Sequence, residues 1–168
     1  DADVIAGDIV QVLAQALEDF NAMREREGQK LAEDIRRKAE TIGALVSQVE
    51  ARSPQTVSEY REKLRQRMQE ALENTQIDES RILTEAAIFA DKVAVDEETV
   101  RLRSHLAQLE EMLTQGGAIG RKLDFLIQEF NREANTIGSK CSDVALARVV
   151  VELKGEIEKI REQVQNIE

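Results

Sequence analysis

The sequence is poor in the residues that build aromatic cores, disulfides and irregular loops. Only 3% of its 168 residues are aromatic, none is tryptophan, and proline, cysteine and histidine each occur once. The single cysteine, Cys141, excludes an internal disulfide and favours a reducing compartment, so a cytoplasmic location is expected. No run approaches the roughly 18 apolar residues of a transmembrane helix, and the opening DADVIAGDIV lacks the pattern of a signal peptide. No membrane partner is therefore expected.

Acidic residues outnumber basic ones, and this imbalance limits the classes of partner. The net charge is −10, whereas nonspecific nucleic-acid affinity comes largely from Lys and Arg that neutralise phosphates. DNA is therefore not expected as a partner, and any RNA site has to be local or completed by another chain. Charged residues make up 33% of the sequence, and the bias toward Ala, Glu, Leu, Lys, Arg and Gln is typical of long helices.

The apolar spacing in the first part of the chain predicts two helices that meet at the only proline. Apolar residues recur three and four positions apart from about Asp8 to Arg52, which is the period of a helix. Ser53-Pro54 is expected to end this helix and to begin a second one that runs to about Glu73. The reason is that serine is a preferred N-cap and proline is favoured at the first helical position.

Glycines and a short polar break divide the second part of the chain. A third helical region is expected over about 78–114, with a break near 93–95 where Asp96 offers an N-cap. Gly116-Gly117 is expected to end this region. Two further helices are expected at about 120–138 and 144–167.

Together these segments predict an all-α fold of long antiparallel helical hairpins, an elongated and coiled-coil-like bundle. We expect a hairpin region over 1–115 and a C-terminal helical region over 116–168, joined as one continuous module. In the last helix the apolar residues alternate gaps of four and three, a spacing that requires a partner helix, in the same chain or in another. A fold of this kind favours self-association.

The stretch GRKLDFLIQEFNREANTIGSK, residues 120–140, carries more chemistry than packing needs. On a helical wheel one arc is apolar and predicts the core face: Leu123, Leu126, Ile127, Phe130, Ala134 and Ile137. The opposite face holds Arg121, Phe125, Gln128, Arg132 and Asn135. An outward aromatic framed by arginines and amides can stack on a base and bind phosphate, so this face is a candidate RNA-binding surface. The alternative is that Phe125 packs on another helix and the polar residues bond across that interface.

Two acids at the edge of the core face of the same helix form a candidate metal site. Glu129 and Glu133 are one turn apart, and their carboxylates could jointly hold a divalent cation. Solvated glutamates are common in helices, so an exposed charged face is the alternative.

The segment DEETVRLRSHL, residues 96–106, contains the only histidine. Glu98 and His105 are seven residues apart and lie nearly in line on a helix, beside Arg101. Ribonucleases that cleave through the 2′-hydroxyl need a base and an acid, and a His–Glu pair with an arginine on the phosphate would supply these roles. Two alternatives stay open: His105 and a glutamate bind a metal that activates water, or His105 is a structural residue at the border of the helix.

The charged segment MREREGQKL, residues 23–31, places Gly28 in the middle of a helix. Glycine there costs about 1 kcal/mol relative to alanine, and a close backbone approach would justify that cost. A solvated face formed by Arg24, Arg26 and their acidic neighbours, with a tolerated glycine, is the alternative.

Four segments closely resemble the YicC-like family of bacterial proteins: GRKLDFLIQEFNREANTIGSK, EETVRLRSHL, MREREG and the closing REQVQNIE. The likeness covers essentially the whole chain. Family members are longer and carry an N-terminal portion with β-structure, so the resemblance, with the missing initial Met, implies a fragment. They are described as stress-related proteins and as endoribonucleases that depend on a divalent metal, manganese, and assemble into hexamers. The resemblance therefore implies RNA and further copies of the chain as partners, and Mn²⁺ or Mg²⁺ as cofactor.

The resemblance also extends the candidate sites residue by residue. The catalytic candidates become His105, Glu98, Arg101 and Glu97. The metal candidates become Glu129, Glu133 and Asp124. The RNA-binding candidates become Arg121, Phe125, Gln128, Arg132, Asn135, Asn131 and Lys140. The family commonly has an aspartate where this chain has Ala94, and if that carboxylate were a ligand, metal binding or activity would be weakened here.

Two hypotheses of different classes follow. The first is that the chain is the oligomerising all-α part of a metal-assisted endoribonuclease, and that this part alone cleaves poorly. The second is a non-enzymatic helical scaffold or stress-related adaptor, whose Asn, Gln and Arg residues determine helix register and the choice of partner.

Overall fold

The computed structural model describes residues 2–72 and 76–165, which form five α-helices and no strand. The helices are α1 (Ala2–Leu72), α2 (Glu79–Val93), α3 (Asp96–Gln115), α4 (Gly120–Lys140) and α5 (Val144–Val164). The predicted all-α fold is thus confirmed. Within the described ranges, no helix combines the length and the apolar character needed to cross a membrane. The helix ends predicted near Glu73 and Ile167 lie outside these ranges.

One hydrophobic core joins four of the helices. α1 and α4 each pack against both α3 and α5, so these four helices form a bundle. The core takes side chains from 1–115 and from 116–168. The apolar faces predicted for α4 and for the described part of α5 are buried: Leu123, Leu126, Ile127, Phe130, Ala134, Ile137, Leu146, Val150, Leu153, Ile157, Ile160 and Val164.

Only the middle of α1 takes part in this bundle. Between Ile35 and Val49 its core-facing residues are buried, whereas every side chain from residue 3 to residue 30 is exposed. Three apolar residues of the predicted helical period are among the exposed ones: Leu13, Leu17 and Phe20. At about 1.5 Å per residue, this N-terminal segment, called here the α1 arm (residues 3–30), is about 40 Å long.

α2 turns back along the C-terminal part of α1, outside the four-helix core. The rings of Tyr60 and Phe89 stack with their centroids 3.9 Å apart, and Arg65 Nη2 donates to Glu79 Oε2 at 2.9 Å. Asp78 caps the helix by accepting a hydrogen bond from the Ser80 amide at 3.0 Å. These contacts hold α2 against α1.

The prediction that the first helix ends at Ser53-Pro54 is wrong, because α1 continues through Pro54. A proline inside a helix removes one backbone hydrogen bond and costs about 3 kcal/mol. Contacts on both sides of the proline offset this cost. Thr56 Oγ1 donates to the Ser53 carbonyl at 2.7 Å, and Arg52 makes two hydrogen bonds of 2.9 Å to Asp143, at the start of α5. The Pro54 side chain itself is exposed, so its ring displaces no core residue.

The break between α2 and α3 lies where it was predicted, but its N-cap is one residue earlier. Asp96 is the first residue of α3, and the N-cap is Val95, which makes no side-chain capping bond. Val95 is 1% exposed, so burial of its side chain in the core holds the backbone at this point. The first turn of α3 is instead stabilised by negative charge that complements the helix dipole, from Asp96, Glu97 and Glu98.

A glycine turn reverses the chain between α3 and α4. Gly116 and Gly117 have φ angles of 64° and 81°, a region that residues with a side chain rarely adopt. The Gly116 amide donates to the Met112 carbonyl at 3.1 Å, and the Ile119 amide donates to the Gly117 carbonyl at 2.9 Å. The reversal sets α4 beside α3, so the polar residues predicted on the two helices can meet.

Candidate active site

Charged residues of α3 and α4 pair in order across the two helices. At one end, Lys140 Nζ donates to Glu98 Oε1 at 2.7 Å. One turn further along α3, Arg101 Nη1 lies 3.5 Å from Glu133 Oε1. One more turn along α3 is His105. Because α4 runs in the opposite direction, residues that the sequence separates by about 25–40 positions become neighbours.

His105, Glu129 and Glu133 form a cluster in which one ligand atom of each residue lies within 4.8 Å of the others. Glu133 is 2% exposed, while His105 and Glu129 are half-buried. Both ring nitrogens of His105 are buried without a hydrogen-bond partner among the described residues. The ring meets Phe130 edge-on, with 5.6 Å between the centroids. Packing therefore positions this imidazole and leaves its nitrogens available, whereas buried polar atoms normally have partners.

This arrangement, called here the His–Glu cluster, fits a divalent cation. Carboxylate oxygens suit Mg²⁺ and Mn²⁺, and the added imidazole nitrogen favours the transition metal. Two metal candidates, Glu129 and Glu133, belong to the cluster, but Asp124 does not. Its Oδ2 accepts a hydrogen bond from Gln128 Nε2 at 3.3 Å. The structure instead brings in His105, which the sequence spacing had connected with Glu98.

Glu98 is buried, but it is not hydrogen-bonded to His105 in the part of the chain that the structure describes. It is 4% exposed, and its Oε1 accepts the bond from Lys140 while its Oε2 is buried without a partner. Lys140, a predicted RNA ligand, thus forms an ion pair with Glu98 of the same chain. Glu97 is exposed and forms an ion pair with Arg101, so it orients the arginine.

The face of α4 opposite the core is exposed as the helical wheel predicted. Phe125 is 65% exposed. The polar members of this face are also exposed: Arg121, Gln128, Arg132 and Asn135. Phe125 therefore does not pack on another described helix of the same chain, so packing among the described residues does not explain an aromatic residue here.

A polar groove lies beside this face, between α4 and the C-terminal end of α5. It is lined by Asp124, Ile127, Gln128, Asn131, Arg132, Asn135, Thr136, Arg161 and Gln165. Amide and guanidinium groups predominate, and they offer several hydrogen-bond donors with a few acceptors. The resemblance includes Arg161 and Gln165 among its matching positions in the closing REQVQNIE, but the sequence assigns them no role at a site, because the apolar period of α5 points to packing. The available signal was Arg161 and Gln165, one helical turn apart and both polar.

Gly28 has no packing reason within the described chain. A Cβ at this position would meet no atom within 4 Å, so the close backbone approach considered for it is not found. Arg24 lies over the Phe20 ring at 5.7 Å, and Arg26 Nε donates to the Ala22 carbonyl at 3.2 Å. The segment is a solvated charged face of the α1 arm.

The sequence of the chain matches a known family and named relatives. The family described as "Endoribonuclease YicC-like, C-terminal" matches residues 49–168. The chain belongs to this family. Over 169 residues it is 47% identical to "Probable endoribonuclease YicC" of Clostridioides difficile, and over 168 residues it is 40% identical to the protein of that name from Haemophilus influenzae. Each alignment covers 100% of the chain and 58% of the relative, so the chain spans a little more than half of these proteins.

The YicC-like match contains all the components of the candidate site. The His–Glu cluster, the exposed face of α4 and the polar groove lie within residues 49–168, whereas the α1 arm precedes that range. The candidate chemistry is therefore in the part of the chain that the family description covers.

Proposed function

We propose that this YicC-like chain is the helical part of an endoribonuclease, and that its His–Glu cluster holds a divalent cation used in RNA phosphodiester cleavage. One observation carries the proposal: His105 of α3 meets Glu129 and Glu133 of α4, and its buried nitrogens have no other partner among the described residues. The names of the two relatives support RNA as the substrate.

The cluster residues have one role and the flanking charged residues have others. His105, Glu129 and Glu133 would hold Mn²⁺ in preference to Mg²⁺. When bound, the cation supplies Lewis-acid stabilisation of charge on the phosphate. In this arrangement His105 is a ligand, so the proton-transfer role goes to Glu98. Lys140 orients that carboxylate by binding one oxygen. The other oxygen is buried without a partner among the described residues, so it accepts or returns a proton only when RNA binding exposes it.

The exposed face of α4 provides the substrate contacts in this proposal. Phe125 can stack on a base only if that base is unpaired, which favours single-stranded RNA. Arg121 and Arg132 lie on the same face and can neutralise phosphates, and the polar groove supplies Asn131 and Asn135 for further hydrogen bonds. A local set of basic and amide groups of this kind is compatible with a chain of net charge −10.

Self-association belongs to the same proposal. The α1 arm exposes large apolar residues along its length, among them Ile9, Leu13 and Phe20, and contiguous exposed apolar surface of this kind marks an interaction site. The hexameric state and the cytoplasmic location stay predictions. The same surface favours the second candidate function, a helical scaffold without catalytic activity.

The test is cleavage of a labelled single-stranded RNA by the complete protein with Mn²⁺ or with a chelator. We expect cleavage with Mn²⁺, none with the chelator, and at least about a hundredfold loss in His105→Ala and Glu129→Gln, because each removes one ligand of the cation. Glu152→Gln is the matched control, since this exposed acid of α5 lies outside the cluster.

Two results would contradict the proposal in different ways. If the native protein cuts no RNA with any divalent metal, the scaffold is the better function. If His105→Ala and Glu129→Gln cleave at the native rate with Mn²⁺, the protein is a ribonuclease whose site lies elsewhere.

A further inference from the structure

Arg101 occupies a position between the exposed and the buried acids of the site. Its Nη2 binds Glu97, an exposed residue of its own helix, while its Nη1 lies 3.5 Å from Glu133 Oε1. The Glu133 side chain is 3% exposed and that of Arg101 is 47% exposed. One guanidinium therefore joins the solvent side of α3 to the buried carboxylate of the His–Glu cluster.

This contact has a physical reason. A buried carboxylate is costly unless a positive group is near it, and Arg101 is the positive group that contacts Glu133 among the described ion pairs. Glu129 has its own exposed partner, Arg132, at 3.8 Å. The negative charge of the cluster is thus partly balanced by the protein itself.

A divalent cation held by Glu133 would compete with this arginine. Two positive groups at one carboxylate repel each other. The arginine is the group that can move, because about half of its side chain is exposed and Glu97 offers it a second partner. Released from Glu133, Arg101 remains beside the cluster on its solvent side, where a phosphate of RNA would lie.

We propose that Arg101 is the resident counter-ion of the His–Glu cluster, which a divalent cation displaces from Glu133 and thereby frees to bind an RNA phosphate. This inference rests on the proposed function. It makes cation and RNA binding cooperative: a phosphate that holds Arg101 removes the competitor for Glu133, and by linkage the cation strengthens RNA binding by the same factor.

Loss of the Arg101 charge should have opposite effects on Mn²⁺ binding and on RNA binding. Arg101→Gln should bind Mn²⁺ about tenfold more tightly than the native protein, because the competing charge is gone. The same variant should bind RNA more weakly and show no cooperativity, which in the native protein is expected within the usual 5- to 150-fold range of such couplings. Arg101→Lys retains the competing positive charge, so its Mn²⁺ affinity should be close to that of the native protein and weaker than that of Arg101→Gln.

The experiment is calorimetric titration of the complete protein with MnCl₂, with and without a single-stranded RNA whose 2′-O-methyl groups prevent cleavage through the 2′-hydroxyl. Arg103→Gln is the matched control, since it loses one positive charge from the same helix while its guanidinium pairs with Glu50 at 2.5 Å, away from the cluster. This control should change the Mn²⁺ affinity less than twofold. Unfolding curves of each variant verify that the fold is retained.

The possible outcomes separate the two proposals. If the native protein binds Mn²⁺ and Arg101→Gln binds it equally or more weakly, Arg101 positions the ligands and the competition model is wrong, while the metal site stands. If neither the native protein nor Arg101→Gln binds Mn²⁺, the metal site of the proposed function fails, and the counter-ion role fails with it.

Discussion

At the scale of single residues, the two phenylalanines of α4 show what a helical wheel can predict. Phe130 is 1% exposed and Phe125 is 65% exposed, as their opposite positions on the wheel require. Burial of a phenylalanine contributes about 1.5–3 kcal/mol, so Phe125 forgoes this stabilisation. Its neighbours are arginines and amides, and a ligand contact is the physical reason that we propose for it.

Phe125→Ala should weaken RNA binding without weakening the fold. Stacking of a base on an aromatic side chain contributes about 1–3 kcal/mol, so the affinity for single-stranded RNA should fall about tenfold. The free energy of unfolding should change by less than about 0.5 kcal/mol, as is usual for an exposed position. Fluorescence anisotropy with labelled RNA measures the first effect, and urea unfolding measures the second. Val151→Ala, also on an exposed apolar side chain, is the control, and equal loss of affinity in both variants would refute the stacking role.

Asp143 is a second residue whose role is local, and here the role is structural. It caps α5 by accepting from the Leu146 amide at 2.9 Å, and it binds Arg52 of α1 through both oxygens. The hydrogen bonds from Arg52, and then that from Leu146, lower the pKa of Asp143 from 3.8 to about 2. Since the pKa is lowered in the folded state, the stabilisation is fully present above about pH 5 and is lost as the pH falls toward 2.

Asp143→Asn should remove this pH dependence. The amide oxygen can still cap α5, but the ion pair with Arg52 is lost, so the stability gap between native protein and variant should be constant above pH 5 and narrow between pH 4 and 2. Asp143→Ala should lose about 1 kcal/mol more, because it also removes the N-cap. Urea unfolding at several pH values measures both effects. A gap that stays the same down to pH 2 would show that the Arg52 pair contributes no stability.

The single-residue pattern predicted Glu129 and Glu133 as a metal pair, and His105 with an unspecified glutamate as an alternative metal site, but it could not show that these residues form one cluster. Glu133 is five residues from Gln128 on the exposed side and one residue from buried Ala134, so a wheel places it at the border of the core. Whether a border residue is buried depends on the neighbouring helix, and here α3 covers it with Arg101 and His105. The link between His105 and this glutamate is tertiary, because it depends on how the turn at Gly116 aligns α3 with α4.

At the scale of helices, helix-ending residues predicted the ends of helices correctly where no other helix packed against them. Gly116-Gly117 ended α3 as predicted, because positive φ angles exclude helix continuation regardless of tertiary context. Pro54 did not end α1. A proline inside a helix costs about 3 kcal/mol, and the packing of α1 against α5 and α2 offsets this cost. Sequence shows the cost of a proline but not the contacts that offset it.

Gly116→Ala should destabilise the protein, and a second glycine provides the matched control. The φ of 64° at Gly116 is strained for alanine, so a loss of about 1 kcal/mol or more is expected. Gly155 lies inside α5, and a Cβ there would meet no atom within 4 Å. Gly155→Ala should therefore stabilise by up to about 1 kcal/mol. Thermal unfolding of both variants gives the signs, and a stabilising Gly116→Ala would mean that the turn is not strained.

At the scale of the whole molecule, α1 divides into a part that builds the bundle and an arm that does not. The apolar period over 8–52 correctly predicts a helix, but it does not show which part of that helix the partner helices cover. They cover residues from about Leu31 onward, and the α1 arm keeps its apolar side exposed. The exposed apolar side of the arm is the surface to which the proposed self-association is assigned.

If the arm mediates self-association, Leu13→Glu should lower the molar mass in solution. A charge placed on the apolar side is costly to bury, while the bundle, which does not contact Leu13, should unfold as in the native protein. Ala22→Glu lies on the opposite side of the same helix and is the control. Light scattering gives the mass of each variant, and an unchanged mass for Leu13→Glu would exclude this side of the arm as the interface.

The most direct test of the metal centre is the Mn²⁺ concentration that gives half-maximal RNA cleavage by the complete protein. Glu133→Gln removes a ligand charge while retaining the size of the side chain, so this concentration should rise at least about tenfold, and the maximal rate should fall. Loss of a supporting partner of a ligand already costs about 10- to 100-fold in metal affinity or activity, so loss of a ligand itself should cost at least as much. The same Mn²⁺ dependence in Glu133→Gln and in the native protein would contradict a catalytic metal held between α3 and α4.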